Sequence, residues 1–530
     1  MAVSRSSKSS NYGARRRAQP MRGQEKARHD QASAAPLFSI VTAVYNAVPY
    51  LNDLFRSVQS QSFPLDQVEL ILVDDGSTDK SLDMCERWKD QIGCKVTVLS
   101  EANGGQGSAR NLGIKAATGT WVVILDSDDI LDRSYLMELS RAILAHPDTA
   151  RSGTKRQVNV VSTQPIIYHE GTKRICRHRY GEAFSKPSPY IVNLLDTPAS
   201  FPVHPGVAYR ASALRQYRIA YEERVRPIFE DMLLTANVFI KSGVPKYLVV
   251  PRARFLYRKR VAQNSTIDIA AQHPGRHLSI PKYGYLPLMR SQRKHPESAE
   301  WIHNLVITDA GWIVQDWFGN RRHKIASRHR KEHVALMREV GRLSDVELVR
   351  SARPSRLQHI GREVLALGLG RKRPDQPLAR RSRSAAGETE VTFYTMPTRV
   401  RPSIRAASDQ GDSIKVTSHE LRKISYWREE VLVEHKVALE ALPDAAIEMW
   451  IGGKRVDWWR ESGQVGSRWT ARLLPPEAIG ALEGFVGPTL VEAIKIGTGN
   501  IARIALFLPR KVASSLIRRS GIRALFARPS

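Results

Sequence analysis

Acidic residues are scarce in this chain of 530 residues. Asp and Glu number 52 against 81 Lys and Arg, a formal net charge of +29. So basic a chain implies an anionic partner: nucleic acid, an acidic membrane leaflet or a phosphate-rich substrate. Cysteine is scarcer still. Cys85, Cys94 and Cys176 are odd in number and lack metal-site spacing, which excludes a disulfide framework and fits a reducing compartment. No run of about 18 apolar residues occurs, so no transmembrane helix is expected. No apolar stretch precedes the first expected strand, which argues against a secretory signal and places the chain in the cytoplasm. What remains, 42% hydrophobic and 25% charged residues, is the composition of a soluble globular protein, with length for two or three domains.

The few acids fall in informative places. Asp74-Asp75 follows the apolar run Val68-Glu69-Leu70-Ile71-Leu72-Val73, and Asp126-Ser127-Asp128-Asp129 follows Trp121-Val122-Val123-Ile124-Leu125. Near-continuous aliphatic runs read as buried parallel strands. Carboxylates just past their C-terminal ends sit where open α/β sheets bind ligands. Further strands are expected at Phe38–Tyr45 and Lys95–Ser100. Between them lie helical spacings: Leu51, Leu54, Phe55 and Val58, then a helix to about residue 91 capped by Ser77 or Asp79, then Ala109, Leu112 and Ala116 after the turn Asn103-Gly104-Gly105-Gln106-Gly107. Four strand–helix alternations predict an α/β fold, a Rossmann-like, mostly parallel sheet covered on both faces.

The expected organisation is a disordered basic arm over 1–36, an α/β domain over 37–280, a helical extension over 281–369, a linker over 370–388, a small β-rich module over 389–475 and a basic tail over 476–530. Trp301, Ile302, Leu305, Val306, Trp312 and Trp317 are candidate core of the extension. Ile447–Ile451 followed by Gly452-Gly453 reads as a hairpin arm. Residues 503–530 hold seven Lys and Arg and no acid, with Val512, Leu516, Ile522, Leu525 and Phe526 interspersed. Such a segment suits an anionic membrane surface or, equally, a solvated or partner-docking helix.

Five segments in one order resemble the family 2 glycosyltransferases, which have a GT-A fold. They are Val41-Thr42-Ala43-Val44-Tyr45-Asn46, Val73-Asp74-Asp75-Gly76-Ser77-Thr78-Asp79, Asn103-Gly104-Gly105 with Ala109-Arg110-Asn111, Asp126-Ser127-Asp128-Asp129, and Phe229-Glu230-Asp231. Many relatives have Pro where Ala43 or Val44 stands. Phe255-Leu256-Tyr257-Arg258-Lys259-Arg260 and Asn264-Ser265-Thr266 extend the similarity to the glycosyltransferase half of actinobacterial proteins that pair it with a CDP-glycerol glycerophosphotransferase; no such second half is seen, so that activity is not carried over.

The resemblance implies an inverting, metal-dependent transfer of a sugar from a UDP-sugar to a hydroxyl of a cell-surface polymer or its lipid-linked precursor. The acceptor class is polyol-phosphate, glycan or polyprenyl-diphosphate-linked, and the expected location is peripheral, on the inner face of the plasma membrane. An ionised Asp75 would accept the imide N–H that uracil has and cytosine lacks; the plainer reading of 74–77 is a turn with a helix cap. Asp128, with Asp126, would hold Mg2+ or Mn2+, which take oxygen ligands from one or two carboxylates plus substrate phosphates; the plainer reading is an acidic loop capping the next helix. Asp231 is expected as general base, with Glu230 as its rival, and both also read as helix N-terminal acids. The resemblance adds Thr42, Val44, Tyr45, Asn46, Asn103, Gly105, Arg110 and Ser127 to the nucleotide-sugar site, with Asn111 beside Arg110. Arg258 and Arg260, possible diphosphate ligands, also read as a solvated basic loop. Asp129 and His204 are placed on the acceptor side, though a lone histidine is more often structural. Two rival readings stand: a basic nucleic-acid-binding protein, against which no recognition motif is seen and no specific nucleic acid is expected, and a non-catalytic UDP-sugar-binding scaffold.

Overall fold

The computed structural model describes residues 35–150, 157–178, 181–202, 206–270, 272–318, 327–351, 359–370, 377–383, 388–397, 401–441, 446–459 and 465–466. The basic tail at 476–530, nearly all of the basic arm and His204 lie outside them.

Strands β1 (Phe38–Val44), β2 (Val68–Asp75), β3 (Lys95–Glu101) and β4 (Trp121–Ile124) run parallel in the order β3-β2-β1-β4. Helices α1 (Val48–Gln59), α2 (Ser81–Trp88) and α3 (Gln106–Ala116) cross between them. Side chains alternate across a strand, and β1 uses both faces. Phe38, Ile40 and Val44 join Leu51, Leu54 and Phe55 of α1 and Leu136 and Leu139 of α4 (Tyr135–Ala145) in one core. Val41 and Ala43 face a second core with Ala109 of α3 and Leu233 and Leu234 of α5 (Glu230–Ser242). Helix α3 lies unusually close to the sheet at Gly113, where an added Cβ would sit 2.4 Å from Cγ1 of Val41. That approach carries the neighbouring Arg110 into the interior.

Beyond β4 the sheet changes direction. It gains β5 (Ile130–Leu131), β6 (Val160–His169), β7 (Arg174–Arg177), β8 (Tyr190–Asn193), β9 (Val207–Arg210) and β10 (Lys246–Lys259) in the order β4-β9-β6-β10-β5, with β7 beside β6 and β8 beside β10. β9 is antiparallel to both β4 and β6. β10 breaks register between Val250 and Arg254. Such an irregularity re-aims side chains, and beyond it Arg258 and Arg260 lie beside the 126–129 loop.

The helical extension includes α6 (Ala299–Phe318) and α7 (Ser327–Leu343). Trp301, Ile302, Leu305 and Val306 are buried, while Trp312 and Trp317 are only partly so. The region expected as a linker contains a strand, β11 (Leu378–Arg383). It pairs antiparallel with β12 (Thr389–Thr395) and buries Leu378 and Ala379 while its arginines stay at or near the surface. Its basic composition hid a short strand with only two apolar residues. Two sheets follow, built from β13 (Ile404–Ser408), β14 (Ser413–Ile414), β15 (Val416–Tyr426), β16 (Glu429–Leu439), β17 (Ile447–Ile451), β18 (Lys454–Arg455), β19 (Asp457–Trp459) and β20 (Val465–Gly466). Their orders are β15-β16-β12-β11-β19-β20 and β14-β13-β17-β18. Gly452-Gly453 is the turn that joins β17 to β18. The tip of the β15–β16 hairpin enters the helical extension: Trp427 stacks on Trp317 with ring centroids 4.6 Å apart and packs edge-on against His277 and His333.

Candidate active site

Four elements converge at the C-terminal ends of β1, β2 and β4. The β2 end supplies Asp75, which is buried and whose Oδ1 accepts the backbone N–H groups of Gly104 (2.7 Å) and Gly105 (3.1 Å). Burial raises the Asp75 carboxyl above its ordinary value even against those two bonds and the nearby Arg226. Oδ2 makes no hydrogen bond with the described residues. Gly105, at φ +87°, turns the chain into α3, a backbone that L side chains rarely adopt. Arg226 covers this turn by donating to the Gly104 carbonyl.

Arg110 is the hub. Its guanidinium is 3% exposed and donates Nη2 to Asp126 Oδ1 at 2.7 Å, and Nη1 to both Glu230 Oε1 and Asp231 Oδ1 at 3.0 Å. Three carboxylates from two distant segments thus share one cation. Burial works against that charge, but Asp231, Asp126 and Glu230 outweigh it and hold the guanidinium protonated. Burial, with the carboxylates around it, leaves Asp126 above the usual carboxylate range. Glu230 is pushed up to about 8, by burial first and then by the charge of Asp231. Its Oε1 is taken by Arg110 and Gln106, and Oε2 is sealed from solvent. Asp231, whose side chain is 23% exposed, is the more open of the two. Its Oδ1 also accepts the Tyr221 hydroxyl at 2.9 Å.

On the other side of the cluster, Asp128 Oδ2 accepts Arg260 Nε at 2.6 Å, and Arg260 lies 4.6 Å from the Tyr50 ring centroid. Asp128 Oδ1 and Asp126 Oδ2 make no hydrogen bonds with the described residues. Among those residues no three Asp, Glu, His or Cys side chains form a metal cage. Two carboxylates with a free oxygen each are instead the donor set a hard divalent cation shares with substrate phosphates, so these residues fit Mg2+ or Mn2+. Ser127 is largely buried between them.

Several residues expected at the site make contacts of their own within the fold. Strand alternation turns Thr42 to the same face as Ile40 and Val44, where it is buried and its hydroxyl has no partner among the described residues. Val44 is core for the same reason. Asn46 is exposed, but its Oδ1 accepts the Thr78 and Asp79 N–H groups, so its side chain shapes the β2–α2 loop. Arg258 is spent on Asp53 Oδ2 (2.6 Å), Glu170 Oε1 (3.2 Å) and the Asp128 carbonyl (2.9 Å), at 4% exposure. Asp129, expected to face the acceptor, is 1% exposed. Its Oδ1 accepts the Arg258 backbone N–H (3.4 Å), Oδ2 has no partner among the described residues, and burial, with Asp128 and Asp126 nearby, holds its carboxyl well above the ordinary range. Tyr45 and Asn103 remain exposed at the rim.

Gln106, Tyr221 and Arg226 escaped the sequence reading. Gln106 and Arg110 lie four residues apart, one turn of α3 and hence one face, a spacing that could have paired them. Tyr221 and Arg226 lie in a stretch with no periodic signal. Asn111, expected beside the nucleotide, holds the backbone of Tyr221.

Comparison with known proteins matches residues 39–218 to the glycosyl transferase family 2 model. The poly(ribitol-phosphate) beta-N-acetylglucosaminyltransferase TarS of Staphylococcus aureus is 26% identical over 206 residues, covering 39% of this chain and 33% of that one. The minor teichoic acid biosynthesis protein GgaA of Bacillus subtilis is 27% identical over 275 residues, covering 51% and 58%. The chain therefore spans a third to three fifths of the length of these two relatives. A crystal structure of S. aureus TarS 1–349 in complex with UDP-GlcNAc overlays with a TM-score of 0.44 at 20% identity, over 63% of this chain and 89% of that one. Parallel strands ending in acids and the buried Arg110 lie within residues 39–218, and those residues match the glycosyl transferase family 2 model.

Proposed function

We propose that this protein transfers a sugar from a UDP-sugar to a hydroxyl of an anionic or polyol-containing cell-surface polymer, with inversion at the anomeric carbon. The observation that carries the proposal is the convergence of Asp126, Glu230 and Asp231 on Arg110, which sets a solvent-reachable carboxylate beside the Asp126–Asp128 loop. The similarity to TarS and GgaA supports the donor and acceptor classes. So does the net charge of +29, which suits a polyphosphate acceptor.

Asp75 and the Gly104–Gly105 turn form the nucleobase end of the site. Asp128 and Asp126 would hold Mg2+ or Mn2+, which neutralises diphosphate charge on the departing UDP. Asp231 takes the acceptor proton. The acceptor oxygen then bonds to the anomeric carbon while the carbon–oxygen bond to UDP breaks, its electron pair leaving with UDP. Glu230, sealed from solvent and held by Arg110 and Gln106, keeps Arg110 in place and does not act as base.

The test is UDP release from a panel of UDP-sugars with Mn2+ or Mg2+ and a polyol-phosphate acceptor. Release from one donor that needs metal and acceptor supports the reading. UDP-independent binding to duplex DNA with a steep salt slope would overturn it in favour of nucleic-acid binding.

A further inference from the structure

We propose that Tyr221 is the positioning residue for Asp231: by occupying Oδ1 together with Arg110, it leaves Oδ2 as the oxygen that meets the acceptor hydroxyl. The inference rests on the reading of Asp231 as general base and adds which oxygen acts and what aims it.

The geometry is specific. Oδ1 of Asp231 accepts the Tyr221 hydroxyl at 2.9 Å and Arg110 Nη1 at 3.0 Å. Oδ2 makes no hydrogen bond with the described residues. A carboxylate with one oxygen bound by two donors is fixed in rotation about its terminal bond, so its free oxygen has a defined direction. Tyr221 is itself held twice. Its ring lies 5.4 Å from the Arg110 guanidinium carbon, and its backbone is clamped by Asn111, which accepts from the Tyr221 N–H at 2.7 Å and donates to its carbonyl at 3.0 Å. Arg110 and Asn111 are consecutive on α3, whose first turn is tied to Asp75 through Gly104 and Gly105. The helix that frames the nucleobase end therefore also sets both hydrogen-bond donors on the base. Burial and the Asp231 charge keep the proton on the Tyr221 hydroxyl, so it serves only as a donor. The same tyrosine could be mere packing, and the hydroxyl separates the two cases because Phe keeps the ring and removes only that bond.

The experiment measures steady-state UDP release and calorimetric UDP binding for the full chain carrying Tyr221→Phe, alone and with Asp231→Asn. A hydrogen bond to a charged group is worth enough to change kcat about 10- to 100-fold. That loss is expected with the KM for the UDP-sugar unchanged, and no further loss is expected when Tyr221→Phe is added to Asp231→Asn. A wild-type kcat in Tyr221→Phe, or equal fractional losses in both backgrounds, overturns the proposal. Should Tyr221→Phe fail to bind UDP, Asn111→Ser, which releases the Tyr221 backbone and keeps the hydroxyl, is read by the same criteria. If Asp231→Asn itself transfers at the wild-type rate, the base assignment falls, an outcome distinct from failure of the Tyr221 role.

Discussion

Arg110 Nη2 and Asp126 Oδ1 meet at 2.7 Å, joining a helix to a strand end that lie 16 residues apart in sequence. The same guanidinium reaches Glu230 and Asp231, about 120 residues further on. The two halves of the site, which the proposed function assigns to the sugar donor and to the acceptor proton, are therefore one electrostatic unit.

Arg110→Met should disable both halves. Removing one partner of a buried ion network leaves uncompensated charge, at a cost of about 3–5 kcal/mol. Urea unfolding should show that loss, and UDP release should fall at least as far as in Asp231→Asn. Arg110→Lys should not rescue, because an ammonium cannot present the planar fork that reaches three carboxylates.

Glu230→Gln should separate the two acids at the head of α5. A neutral side chain of the same shape can satisfy Arg110 and Gln106 less tightly, so transfer should persist within about tenfold, whereas Asp231→Asn should slow it by about 10²- to 10⁴-fold. Stability gives the sign of the effect. A carboxyl raised from its ordinary 4.5 to about 8 in the fold contributes its full stability below about pH 4.5 and loses it as pH rises through about 8. Melting temperatures of the wild type should thus fall between about pH 4.5 and pH 8 more steeply than those of Glu230→Gln.

Arg258→Ala and Arg260→Ala should differ although the residues are two apart. Arg258 is buried among Asp53, Glu170 and the Tyr50 and Tyr168 rings, so its loss should cost about 3 kcal/mol of stability. Arg260 is more open and bonds Asp128. Its loss should change Mn2+ and UDP affinity in calorimetry and leave the melting temperature within a few degrees.

Trp427→Ala should loosen the β-rich module from the helices. Truncating a buried tryptophan costs about 3–5 kcal/mol, and this one fills the space between Trp317, His277 and His333. Limited proteolysis should then cut near the hairpin before the α/β domain is touched.

The strands were legible because a buried parallel strand must be aliphatic on both faces: Val68–Val73 admits few other readings, and the acids after it had to lie at the sheet edge. The same two-sided burial removed the alternation that would have told Thr42 and Val44 from ligand-facing positions. Arg258 and Arg260 share a strand face by count, yet one is sealed and the other is not, because partners contributed by Asp53 and Glu170 are remote in sequence. β11 was missed since its four surface-facing polar residues outnumber its two buried ones. Tyr221 depends on a side-chain clamp from Asn111, 110 residues away, which no local pattern records.

The most direct test is calorimetric binding of UDP with Mn2+ set beside turnover in three proteins: wild type, Asp128→Ala and Asp231→Asn. The account predicts that Asp231→Asn binds UDP as the wild type does yet transfers sugar about 10²- to 10⁴-fold more slowly, and that Asp128→Ala loses the metal-dependent part of binding. Wild-type turnover in Asp231→Asn, or metal-dependent binding left intact in Asp128→Ala, would contradict it.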